Sequence, residues 1–254
     1  MTIKAVTFDL WDTIVADESD ESVRAARGLR SKKDERRHQV WEALNGIEPI
    51  VYDRVALAYD TAEAGFNVVW KEYYINWTVE QRLRVVLNGL RRQVSDEVFN
   101  MLVDKHSTME VEIPPDPIVG VSEALQDLST RYKLCIVSDS IVTPGAGLRK
   151  ILDKHGLKQF FSGFAFSDEV GHSKPHRAMF DSAAEQLGLQ VSELIHVGDR
   201  DHNDVKGPHA IGAKAILFTA ARPDDRATTT ADAICDAHHD LPAIVDRLAA
   251  EGLI

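Results

Sequence analysis

The sequence predicts an α/β fold, a parallel β-sheet with helices on both faces, interrupted near its start by an all-helical insert. Three observations carry that prediction. The second half of the chain alternates short apolar runs with helical patterns, as parallel sheets require. An isolated apolar run, Ile3, Ala5, Val6 and Phe8, ends at Asp9 and reads as a buried first strand. Between these parts, residues 16–116 show only three- and four-residue apolar spacing.

Within that middle stretch four or five helices are expected. Leu83, Val86, Leu87 and Leu90 fall on one helical face, and Ser95 before Asp96 and Glu97 opens another helix. Trp41, Trp70 and Trp77 sit at helical positions and read as core of this block. The basic run from Arg24 to Arg37 is interleaved with Asp34 and Glu35, so it reads as a solvated face. The segment from Pro114 to Pro117 breaks helix and marks a boundary. Residues 1–15 and 117–254 then form the core, and 16–116 the insert.

Beyond the boundary the expected order is helix 120–130, strand 133–137, helix to about 155, strand 164–166 and helix 177–187. Strand 194–197, helix 205–211, strand 215–218 and helix 242–251 follow. Thr143 with Pro144 reads as the cap and opening of the second of these helices.

Composition narrows the function classes. With 29 Lys+Arg against 40 Asp+Glu, the formal charge is −11, which disfavours a general nucleic-acid binder. No apolar stretch reaches the roughly 18 residues of a membrane span. The start carries acids at Asp9 and Asp12 and no cleavage signal, so a secretory leader is not expected. Cys135 and Cys235 lie in apolar segments and read as buried thiols of a reducing, cytoplasmic compartment. Ten histidines form neither a helical HExxH pattern nor a Cys/His cluster, which argues against zinc.

Ligands of open parallel sheets bind beyond the carboxyl ends of the strands. Asp9, Trp11, Asp12 and Thr13 follow the first strand, and Ser138, Asp139 and Ser140 the second. Gly198, Asp199, Asn203 and Asp204 follow strand 194–197, and Lys174 follows the short strand. Carboxylates, hydroxyls and one lysine on neighbouring strand ends suit a hard cation and a carboxylate nucleophile.

The order FDxxxT, a strand ending in serine, GxxKPxxxxF and HVGDxxxxD resembles the haloacid dehalogenase-like hydrolases. The resemblance covers about 140 core residues, and each motif alone is weak. It implies a Rossmann-like core with a helical cap and a Mg²⁺-dependent phosphohydrolase acting on a small phosphorylated metabolite. On that resemblance Asp9 is the nucleophile that forms an aspartyl-phosphate, Ser138 bonds the phosphoryl oxygen, and Lys174 steadies both. Asp9, the backbone carbonyl of Trp11, Asp199 and Asp204 match the metal ligands.

One position departs from the family pattern. Family phosphatases carry a second aspartate, the general acid, where this chain has Trp11. Losing a positioned acid costs about 10²–10⁴-fold in rate. Asp12 replaces it only if a tight turn brings it round. Two other readings stay open. Family dehalogenases tolerate an aromatic residue at this position but lack the acidic pair, and a low-activity binding scaffold would also fit Trp11. Asp139 stands where the family commonly has asparagine, and the sequence assigns it no role. The cap residues that set specificity, and the oligomeric state, are not readable.

Overall fold

The computed structural model describes residues 2–251. Its centre is a parallel sheet of β1 (Ala5–Phe8), β2 (Lys133–Ser138), β3 (Gly163–Phe166), β4 (Leu194–Gly198), β5 (Lys214–Phe218) and β6 (Ala233–Cys235). The strand order is β3-β2-β1-β4-β5-β6. The chain builds outward from β1 in one direction through β2 and β3, then in the other through β4, β5 and β6. The reversal leaves a crevice between the carboxyl ends of β1 and β4, where ligands of such sheets bind. Register places Phe8 beside both Ile136 and Val197, so Asp9 emerges between the ends of two neighbouring strands.

Five helices follow β1 ahead of the Pro114–Pro117 segment: α1 (Ser19–Ala26), α2 (Lys32–Asn45), α3 (Tyr52–Tyr73), α4 (Val79–Leu90) and α5 (Asp96–Glu112). The later helices are α6 (Val121–Ser129), α7 (Gly145–Lys154), α8 (Ser167–Val170), α9 (Arg177–Leu187), α10 (Gly207–Ala210) and α11 (Leu241–Glu251).

Strand alternation sorts the core into two layers. Val6, Phe8, Ile136 and Val197 face Leu125, Ile151 and Val245 of α6, α7 and α11. Ala5, Cys135 and Val137 face Met179, Phe180 and Ala183 of α9. Burying a side chain such as Phe8 contributes about 1.5–3 kcal/mol. The helical insert has an apolar centre of its own, where the stripe Leu83, Val86, Leu87 and Leu90 meets Val55, Tyr59 and Leu102. Ser95 caps α5 by accepting from the Val98 amide at 3.3 Å. At the base of the insert the two connections run side by side, with Ala16 N donating to Asp116 O at 2.9 Å and Ile118 N to Ile14 O at 2.9 Å.

Several expectations need correction. Strand β6 and the one-turn helix α8 are additions, each too short for a periodicity signal. The helix expected over 205–211 is a π-turn, Asp201–Lys206, followed by the single turn α10. Thr143 does not cap α7; its hydroxyl donates to Glu110 Oε2 at 2.5 Å. Nor is the basic run wholly solvated, because Arg24 and Lys32 are buried. Trp41 donates to Ile50 O within the insert and Trp77 lies beside Phe66, but Trp70 reaches out of it toward β2. Cys135 and Cys235 are free and buried, and burial pushes their thiols up to about 12 and about 11. No described helix is long and apolar enough to cross a membrane.

Candidate active site

The strand ends bring Asp9, Lys174, Asp199 and Asp204 together in the crevice. One carboxylate oxygen from each of Asp9, Asp199 and Asp204 lies within 4.8 Å of the others. Lys174 Nζ bridges two of them, at 2.7 Å from Asp9 Oδ1 and 2.6 Å from Asp204 Oδ1. All four residues are buried.

Asp204 reaches this point through local backbone geometry. It lies in the π-turn, and its side chain packs back onto the end of β4 against Gly198. A Cβ at position 198 would sit 2.3 Å from Asp204 Cγ, so only glycine permits the approach. Both oxygens of Asp204 then have partners. Oδ1 meets Lys174 and His196 Nε2 at 3.1 Å, and Oδ2 accepts the Arg200 amide at 3.0 Å. Burial opposes its charge, but Lys174 and His196 outweigh burial and hold the carboxyl well below the usual carboxylate range. Burial also lowers His196, keeping the imidazole neutral. Its Nδ1 then takes the Thr7 hydroxyl at 2.8 Å, which leaves Nε2–H to donate to Asp204.

Asp199 is the opposite case. It is buried, and neither carboxylate oxygen has a hydrogen-bond partner. Burial first, then the charges of Asp9 and Asp204, raise its carboxyl well above the carboxylate range. Arg200 and Arg222 lie at 3.7 and 3.9 Å, too far for hydrogen bonds. An orphaned buried carboxylate facing two more is the donor set of a hard divalent cation. The residues present fit such an ion.

Lys174 stays protonated. Burial works against its charge, and the carboxylates of Asp204, Asp9 and Asp139 together outweigh it. Its backbone amide donates to Asp139 Oδ1 at 2.9 Å, so Asp139 positions the lysine's loop. Trp70 Nε1 donates to the other Asp139 oxygen at 3.2 Å. Burial pushes Asp139 up to about 7, with Lys174 opposing. The sequence places Asp139 at a strand end without a role, and Trp70, expected in the insert's core, is half-buried, stacking on Phe66 on one side and reaching Asp139 with its indole N–H. Ser138 ends β2, fully buried, with its hydroxyl 3.5 Å from Asp139 O.

Trp11 is half-buried, and its indole donates to Asp139 O at 3.3 Å. Asp12 turns away: its φ is +53°, and its carboxylate accepts the Asp17 amide at 3.0 Å. The cavity over Asp9, about 310 Å³, is lined by Trp11, Asp17, Glu110 and Lys174 among others, and not by Asp12. Asp17 and Glu110 bring carboxylates to this cavity from beyond the first strand's motif, and nothing in their local sequence marks them.

The chain is 27% identical over 143 residues to a glyceraldehyde 3-phosphate phosphatase of Methanopyrus kandleri, spanning 56% of this chain and 59% of that protein. It is 27% identical over 176 residues to the pyrophosphatase PpaX of Oceanobacillus iheyensis, spanning 65% and 80%. A 2-haloacid dehalogenase of Pseudomonas syringae has a similar fold, with a TM-score of 0.66, 20% identity and coverage of 97% and 99%. Residues 3–212 match the family model for haloacid dehalogenase-like hydrolases, and the chain belongs to that family.

Proposed function

We propose that the protein is a Mg²⁺-dependent phosphohydrolase of a small phosphorylated metabolite, with Asp9 as the nucleophile. The observation that carries this reading is Asp199, a buried carboxylate with both oxygens unpartnered, facing Asp9 and Asp204. Asp9, the Trp11 carbonyl, Asp199 and Asp204 would hold the ion, with Asp204 as the outer ligand because its oxygens already have partners. When bound, the ion offsets the negative charge between nucleophile and phosphoryl group.

The chain's own residues supply the rest. Lys174 pairs with Asp9 at 2.7 Å and presents a cation to the phosphoryl oxygens. Asp9 forms a bond to phosphorus as the ester oxygen leaves, and water later cleaves the aspartyl-phosphate to release phosphate and restore the carboxylate. The Ser138 hydroxyl is the further donor to the transferring group. The five-helix insert acts as a cap over the crevice, excluding water while this happens. No carboxyl stands at position 11 to protonate the leaving oxygen, and Asp12 is held by the Asp17 amide. Leaving groups that need no proton are therefore favoured.

The test uses acetyl phosphate, p-nitrophenyl phosphate and an alkyl phosphate with Mg²⁺ or EDTA. Mg²⁺-dependent turnover is expected, absent in Asp9→Asn, with the alkyl ester slower by about 10²-fold or more. Halide release from 2-chloropropionate in EDTA, without phosphate release, would replace this reading with the dehalogenase.

A further inference from the structure

Two cavities open from the catalytic crevice, and their walls differ in charge. Trp70, Lys174, Arg200 and Asn203 line both, so the cavities adjoin beside Lys174, while Asp9 lines only the first. Beyond those shared residues, the first cavity has Asp17, Glu18, Glu110 and Asp139 in its wall, with Trp11, Ile141 and Val142 as its apolar part. The second, about 460 Å³, has Lys71, Lys206, Arg222 and His202. Its acids are already engaged. Asp201 pairs with Lys206 at 2.8 Å, and Asp225 with Arg222 at 2.9 Å. No carboxylate lies within ion-pair distance of Lys71 among the described residues, and Arg200 has only Asp199 at 3.7 Å. In a chain of net charge −11, this is a local positive excess beside the reacting centre.

Lys71 comes from the end of α3 and Arg200 from the turn after β4, so the two cations approach from the insert and from the sheet. Tyr74 and His202 form a second bridge between the same elements, with ring centroids 6.1 Å apart. A substrate whose phosphoryl group lies at Asp9 and Lys174 can extend its remainder into either cavity. In the first, Glu110 is paired with Lys32 and Asp139 accepts two N–H bonds, but Asp17 and Glu18 have no ion-pair partner among the described residues. These two repel an anionic remainder, and the cations of the second attract it.

We infer that the substrate is a phosphoryl compound whose leaving group carries a second anionic group, a carboxylate or another phosphate, bound between Lys71 and Arg200. This rests on the phosphohydrolase reading for the position of the reacting phosphoryl group. The matched probes are 3-phosphoglycerate and glycerol 3-phosphate, which differ in that one has a carboxylate where the other has a neutral alcohol. Binding is measured by calorimetry on Asp9→Asn in Mg²⁺, where turnover cannot interfere, and kcat/KM on the wild type.

The expected result is about tenfold tighter binding of 3-phosphoglycerate, equivalent to roughly 1.4 kcal/mol. That ratio falls toward one in Lys71→Met and in Arg200→Gln, and it shrinks as salt rises. Equal binding of the two esters, binding of neither, or a ratio unmoved by both substitutions would overturn the inference. The phosphohydrolase reading fails separately, if wild type releases no phosphate from any ester while the binding preference persists.

Discussion

The sheet and the helical insert bury charge for different ends. At the strand ends the buried carboxylates are crowded together, and Asp199 has no hydrogen-bond partner. In the insert the buried Lys32 is matched by carboxylates. Lys32 Nζ meets Asp20 at 2.8 Å and Glu110 at 3.0 Å, and the second Glu110 oxygen takes the Thr143 hydroxyl. This network joins α1, α2 and α5 to the loop after β2. The contrast separates a place built for a ligand, which costs stability when empty of charge compensation, from a place built to hold elements together. Substitutions should sort accordingly, with loss of chemistry in the first and loss of stability in the second.

The sharpest test is Asp199→Asn. Removing one of three crowded carboxylates should lower Mg²⁺-dependent turnover by about 10³-fold, the scale of losing a major electrostatic contribution. Yet it should raise the cation-free melting temperature, because repulsion with Asp9 and Asp204 is relieved. Mg²⁺ should raise the melting temperature of the wild type and leave that of the variant nearly unmoved. A variant that melts lower than wild type without metal would break the contrast.

Lys32→Met is the counterpart in the insert. It leaves Asp20 and Glu110 buried without their cation, which typically costs about 3–5 kcal/mol. Urea denaturation should show that loss as a lower midpoint. Near wild-type stability would mean that the network relaxes to water, and that the insert's buried charges are no better matched than those of the sheet.

The same contrast explains what the sequence revealed. Strand ends are legible because a short apolar run fixes where the chain stops, and the next polar residue must emerge at the sheet's edge. Asp9, Ser138 and Asp199 were placed that way, Lys174 by its motif and order, and the stripe from Leu83 to Leu90 by its period. Lys32 was misread because a charged helical face looks solvated until a partner 78 residues away, Glu110, is placed against it, and Arg24 because its guanidinium folds back to donate to Arg30 O. The contact between Asp139 and Trp70 was hidden for a similar reason. Their hydrogen bond joins residues 69 apart in sequence, which no local pattern encodes. The Asp201–Lys206 π-turn was taken for ordinary helix, since the same residues suit both until Gly198 draws Asp204 back.

The smallest predicted effect concerns pH. His106, on α5 in the insert, is buried with both ring nitrogens unpartnered; burial, and then Arg36, lower it to about 3. In the unfolded chain a histidine takes its proton near pH 6.5. Between about pH 6.5 and 3 the unfolded state therefore binds more protons, so stability rises with pH and is lost as pH falls through that window. His238, which donates to Thr13 O at 2.7 Å and is lowered by burial to about 4, acts in the same sense. Asp17, raised to about 6 by burial and by Asp12, and Asp139, raised to about 7, act oppositely, because the folded state protonates them first as pH falls. The whole-protein slope mixes these signs, so the measurement is the difference between wild type and His106→Leu across pH 4–6. Wild type should lose about 1.4 kcal/mol per pH unit relative to the variant as pH falls. At pH 7 the variant should be as stable as wild type or more so, since leucine removes two unpaired buried nitrogens without leaving a partner stranded. Parallel pH profiles would mean that His106 finds its proton in the folded state, and that the insert, like the sheet, carries an ionisable group awaiting a partner.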